Sequence, residues 1–99
     1  MRITQRQRTA IVDATREIFG EQATVRLFGS RADDNRQGGD IDLHIQIRGV
    51  DPSRQEKSRK LAARICAKLG DIFPIDVVIK DDATSDDLIH QEGMRGILL

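Results

Sequence analysis

Apolar residues first recur at helical spacing: Ile11, Ala14 and Ile18 lead to Phe19, and Gly20 stops the run. Thr4 with Gln7 three residues later has the spacing of a capping box, so an amphipathic helix is predicted to begin there. Val25 to Phe28 is short, β-branched and aromatic and ends at Gly29-Ser30, which predicts a first strand. The period then changes to two. From Asp40 to Ile47, Ile41, Leu43, Ile45 and Ile47 share one face and Asp40, Asp42, His44 and Gln46 the other, as in a half-buried strand. After the turn at Gly49 to Pro52, Ser53 and Glu56 repeat the capping-box spacing. Leu61, Ala62, Ile65, Cys66 and Leu69 then mark the buried stripe of a second helix that ends at Gly70. Ile75 to Ile79 is a third strand, with Asp76 opposite Ile75, Val77 and Ile79. Thr84 with Asp87 is predicted to cap a last short helix through His90, broken by Gly93 before a Gly96 to Leu99 tail that adds an edge strand.

Helix, strand, strand, helix, strand, helix is the order of a small α/β (α+β) domain. Its small mixed sheet carries helices on one face and leaves the other open. The whole chain, 1–99, is expected to be one domain. The loop between the first two strands, about a dozen residues, is longer than a hairpin needs and draws attention as functional.

Composition narrows the function. With 38% apolar and 32% charged residues, 99 residues build one core that buries roughly two thirds of the unfolded surface. Sixteen basic and sixteen acidic side chains cancel, so no global field favours direct DNA binding. Neither a bilayer-spanning apolar run nor a leader pattern is present, which predicts a cytoplasmic protein without membrane contact. Cys66, the single cysteine, excludes an internal disulfide or multi-thiolate site and is expected to be a core residue.

Aspartate is depleted in strands, yet Asp40, Asp42 and Asp76 all fall on predicted ones. Residues two apart on a strand point the same way about 6.5 Å apart, so Asp40 and Asp42 pair on the uncovered face, and Asp76 joins them if its strand is adjacent. Mutually repelling carboxylates invite a cation. An oxygen-only donor set selects Mg²⁺ or Mn²⁺, and two such ions roughly 4 Å apart would clamp the attacking and leaving oxygens of an in-line displacement. Gly29-Ser30 has the makings of a phosphate cradle, since glycine lets backbone amides approach an anion and serine adds a hydroxyl. Arg31 is placed to neutralise a triphosphate or departing pyrophosphate, and together these groups imply a nucleoside triphosphate ligand. Taken singly, a Gly-Ser is ordinarily a turn and an Asp-x-Asp a solvated strand edge. Asp33 and Asp34 read as solvated loop residues, His44 as a surface or rim residue, and Arg59, Lys60, Arg64 and Lys68 as the wet side of a helix.

In order, Phe28-Gly29-Ser30, nine residues, Asp40-Ile41-Asp42-Leu43 and Ile75-Asp76-Val77-Val78 resemble the signature of the DNA polymerase beta nucleotidyltransferase superfamily, most closely its minimal nucleotidyltransferase branch. "IHQEGMRGIL" near the end is similar to the "I-x-x-E-G" tail of these short proteins. Where the family often has Ser or Thr before the first Asp, this chain has Gly38-Gly39. The resemblance implies that Asp40 and Asp42 hold both metal ions, that Asp76 completes one metal site and helps deprotonate an acceptor hydroxyl, and that Gly29 and Ser30 hold the β/γ phosphates. It implies transfer of a nucleoside monophosphate, AMP from ATP first among the choices, with release of pyrophosphate.

Enlarged relatives add an acceptor-binding domain for which this chain has no room, so the acceptor is expected on a partner. Minimal members are commonly paired with a small helical HEPN protein in toxin–antitoxin modules, which makes a HEPN-like toxin the expected partner and substrate. The alternatives are a non-catalytic module that neutralises its partner by covering it and, behind that, an aminoglycoside-type antibiotic nucleotidyltransferase.

Overall fold

The computed structural model describes residues 1–33 and 39–99, so Asp34 and Gly38 lie outside the described residues. Helix α1, Gln5–Phe19, leads into strand β1, Thr24–Phe28, and one 3₁₀ turn, Gly29–Ala32. Strand β2 is Ile41–Gln46, helix α2 Arg54–Leu69, strand β3 Ile75–Lys80, helix α3 Leu88–Met94 and strand β4 Ile97–Leu98. The sheet order is β3-β2-β1-β4, with β2 and β3 parallel and the other pairs antiparallel. This is the expected α/β fold with a mixed sheet, and the tail forms the edge strand.

Residues of one strand parity face α1 and α2. Leu27, Ile41, Leu43 and Ile45 are buried with Ala10, Ile11 and Ala14 of α1 and Leu61, Ile65 and Leu69 of α2. Burial of this kind stabilises by about 1.5–3 kcal/mol per large side chain, so it fixes the strand register. Thr4 closes the predicted capping box: its hydroxyl accepts the Gln7 N–H at 3.0 Å and its own N–H donates to Gln7 Oε1 at 2.8 Å. Arg64 and Lys68 lie on the exposed side of α2 as expected, and there both reach Glu17 of α1, at 2.9 and 2.7 Å.

Four sequence expectations are corrected here. Asp40 precedes β2 instead of starting it. In the parallel register, Ile41 pairs with Ile75 and its N–H donates to Pro74 O. Opposite Asp40 the ladder meets a proline without an N–H on one side and, on the other, a β1 chain that has already turned at Gly29. Ser53 occupies the N-cap of α2 without a capping box, because its backbone (ψ 10°) lacks the extended form that aims the Thr4 hydroxyl (ψ 162°). The Asp51 carboxylate accepts there instead, from Ser53 N–H at 2.8 Å and Lys57 Nζ at 2.6 Å. Asp87 caps α3 alone, since Thr84 bonds Asp81, and Gly93 lies inside the helix. Cys66 is only half-buried, with Phe73 N–H donating to its Sγ.

The expectation of an open second sheet face holds for only part of it. That face is ruled by register into three rows: Phe28, Asp42 and Asp76; Arg26, His44 and Val78; Thr24, Gln46 and Lys80. Helix α3 packs on it, burying His90 and Gly93 over the middle row, so His44 is 1% exposed and not a rim residue. Gly93 has to be glycine, because a Cβ there would fall on the His44 ring.

Candidate active site

The acidic row adjoins the covered part of the sheet. Asp42 and Asp76 are direct register partners on the parallel β2–β3 pair, so both side chains leave the same face of neighbouring strands about 4.8 Å apart. Asp42 is half-buried and Asp76 exposed; Asp40, also exposed, stands two residues before Asp42 on the approach to β2. Among the described residues no three His, Cys, Asp or Glu side chains converge closely enough to hold a metal ion. The register thus assembles a pair, with Asp40 beside it in the chain.

Gly29 begins the 3₁₀ turn where β1 ends, at φ +71°. Phe28 pairs with Asp42, so the turn starts against the acidic row, and a Cβ on Gly29 would overlap the Asp42 carboxylate. Only glycine brings backbone this close. Gly39 plays the matching part on the far side of the loop: at φ +88° its missing Cβ leaves the space that the Ser30 hydroxyl occupies. A glycine at position 39, just before Asp40, therefore has a steric reason in this chain. Arg31 is half-buried, and two of its nitrogens are tied to the backbone, Nε to Gly39 O and Nη1 to Arg2 O, each at 3.2 Å.

Arg2 escaped the sequence reading. Its backbone N–H donates to Arg31 O at 2.7 Å, and its guanidinium donates to Ser30 O at 2.9 Å and Asp33 O at 3.4 Å. It carries no motif, and nothing in its local sequence announces a contact about thirty residues away.

Behind the acidic row, the His44 ring packs edge-on against Phe28 and His90, with centroids 6.5 and 5.3 Å away. His44 Nε2 lies 3.1 Å from His90 Nδ1, while His44 Nδ1 is buried without a partner among the described residues. This settles the proton's place. A bare Nδ1 acceptor costs less than a buried N–H with nowhere to donate, so the neutral ring carries its hydrogen on Nε2 and donates it to His90. Burial first, then the electrostatic influence of His90, Lys80 and Arg26, pushes the His44 pKa down to about 4.

Asp81 was not singled out from the sequence, and it shows what a structural acid looks like. Five residues beyond Asp76, past the far end of β3, its buried carboxylate accepts from Asp51 N–H at 3.0 Å, Thr84 Oγ1 at 2.8 Å and Ala83 N–H at 2.9 Å, beside Arg54 at 3.6 Å. The Asp51 N–H, then the Thr84 hydroxyl, hold its pKa down at about 2. The exposed acids Asp40 and Asp76 have no such enclosure.

No helix among the described residues is long and apolar enough to cross a membrane. A search of curated proteins finds no significant match. The profile of the nucleotidyltransferase domain, however, matches residues 9–98, a stretch that takes in both glycine-lined loop ends and all three candidate aspartates. This chain belongs to the nucleotidyltransferase domain family, whose general activity is the transfer of a nucleotidyl group.

Proposed function

We propose that the protein transfers a nucleoside monophosphate, AMP from ATP, to a hydroxyl on a small helical HEPN-like partner, and that it acts as the antitoxin of such a pair in the cytoplasm. The observation that carries the reading is the Asp42–Asp76 register pair, with Asp42 directly against the glycine turn that starts at Gly29. A divalent Mg²⁺ or Mn²⁺ fits this donor set, since Mg²⁺ takes one or two protein carboxylates and completes its shell with phosphate oxygens and water. Asp42 and Asp76 would hold it, with Asp40 joining for a second ion. When bound, the metal supplies charge stabilisation for the phosphoryl oxygens.

The chain's own residues do the rest. Gly29 and Ser30 receive the β/γ phosphates and Arg31 faces the charge that leaves with them. The acceptor oxygen forms its bond to the α-phosphorus as the bond to the bridging oxygen breaks. Pyrophosphate departs, and the acceptor proton passes to Asp76. Placement and fixed charge carry such a reaction, because the phosphoryl group needs no covalent help from the protein.

Labelled ATP, Mg²⁺ and the HEPN-like partner test this. The partner should become labelled, and Asp42→Asn or Asp76→Asn should reduce labelling by roughly a hundredfold or more; equal labelling by either variant sinks the mechanism. The separation of the three acids favours one rival reading, a module that neutralises by covering its partner. In that case no label transfers and Asp42→Asn neutralises as well as the parent.

A further inference from the structure

The Gly29–Ala32 turn ends in carbonyls that no following helix satisfies, because the chain leaves it in extended form at Asp33 (φ −103°, ψ 112°). Arg2 fills that need. Its guanidinium spans Ser30 O and Asp33 O, its backbone N–H takes Arg31 O, and Arg31 Nη1 returns the bond to Arg2 O. Arg31 Nε continues the chain of bonds to Gly39 O, one residue before Asp40. The N-terminal segment is thereby fastened to both ends of the loop that separates the glycine turn from the first acid. Arg2 itself lies outside the stretch 9–98 that the nucleotidyltransferase profile matches.

We propose that Arg2 is a positioning residue: through the turn's backbone it sets how Gly29 and Ser30 are presented at a fixed distance from Asp42. The inference rests on the nucleotide-transfer reading above and names what holds its phosphate-binding turn in place. A forked guanidinium is required, since it meets two carbonyls at once while a lysine ammonium offers a single point charge on a flexible stem. Arg2 is not part of the hydrophobic core, so Arg2→Ala removes no core packing.

The full chain and its Arg2→Ala and Arg2→Lys variants decide the matter through hydrogen exchange and Mg–ATP kinetics. In Arg2→Ala the Asp33 amide, which donates to Ser30 O, should exchange about tenfold faster while β2 and β3 amides keep the parent rate. KM for ATP should rise about tenfold with kcat within twofold of the parent, the pattern of a lost binding geometry. Arg2→Lys should follow Arg2→Ala, and full recovery by lysine overturns the fork. A parent that binds Mg–ATP, with Arg2→Ala binding equally and exchanging equally, overturns the positioning role alone. A parent that binds no Mg–ATP overturns the proposed function, and the positioning role with it.

Discussion

Acidification from pH 7 to pH 5 isolates the buried imidazole pair. His44 titrates at 6.5 when unfolded and at about 4 inside the fold, where burial, and then the electrostatic influence of His90, oppose its protonation. Above pH 6.5 the ring is neutral in both states and adds no pH dependence. Between about 6.5 and 4 the unfolded chain binds a proton that the folded chain refuses, so stability falls as pH falls, by about 1.4 kcal/mol per unit. From pH 7 to 5 the loss is on the order of 2 kcal/mol, or roughly 10 °C in the midpoint for a domain of this size. Asp81 acts in the same direction in a separate, lower window: its contribution is present above 3.8 and is lost as pH falls toward about 2. Urea unfolding at pH 7, 6 and 5, without metal or nucleotide, measures the effect in the parent and in His44→Gln, whose amide retains a donor toward His90 but does not titrate. The parent should lose the stated amount and the variant far less. A parent of constant stability over this range, or equal losses in both proteins, refutes the assignment of a neutral buried His44.

Two further outcomes follow from close packing. Gly93→Ala drives a methyl onto the His44 ring and should destabilise the protein by about 1–3 kcal/mol; chemical denaturation measures it, and a cost below a few tenths would show that α3 does not sit on that ring. Gly29→Ala combines a positive φ with overlap on the Asp42 carboxylate. It should cost about 1–2 kcal/mol of stability and, by displacing the carboxylate, about a hundredfold in pyrophosphate release.

Much of the fold was legible because each buried element announces its period. The alternating Ile41, Leu43 and Ile45 and the helical stripe Leu61, Ile65 and Leu69 both end up in one core. The same parity argument put Asp42 and Asp76 on one sheet face. It failed for His44, since parity says which face a residue takes and not whether a later element covers it. It failed again for Asp40, whose place in or out of β2 depends on Pro74 across the ladder.

The sequence by itself determined the element types, the face each strand presents and the set of acids, because periodicity and side-chain chemistry are local properties. Only the tertiary structure decided that β3 runs parallel beside β2, which makes Asp76 the partner of Asp42. It also decided that α3 closes over His44 and that Arg2 reaches the Gly29–Ala32 turn. Those relations join residues dozens of positions apart, and contacts of that kind are set by how the core packs, which no short stretch of sequence encodes.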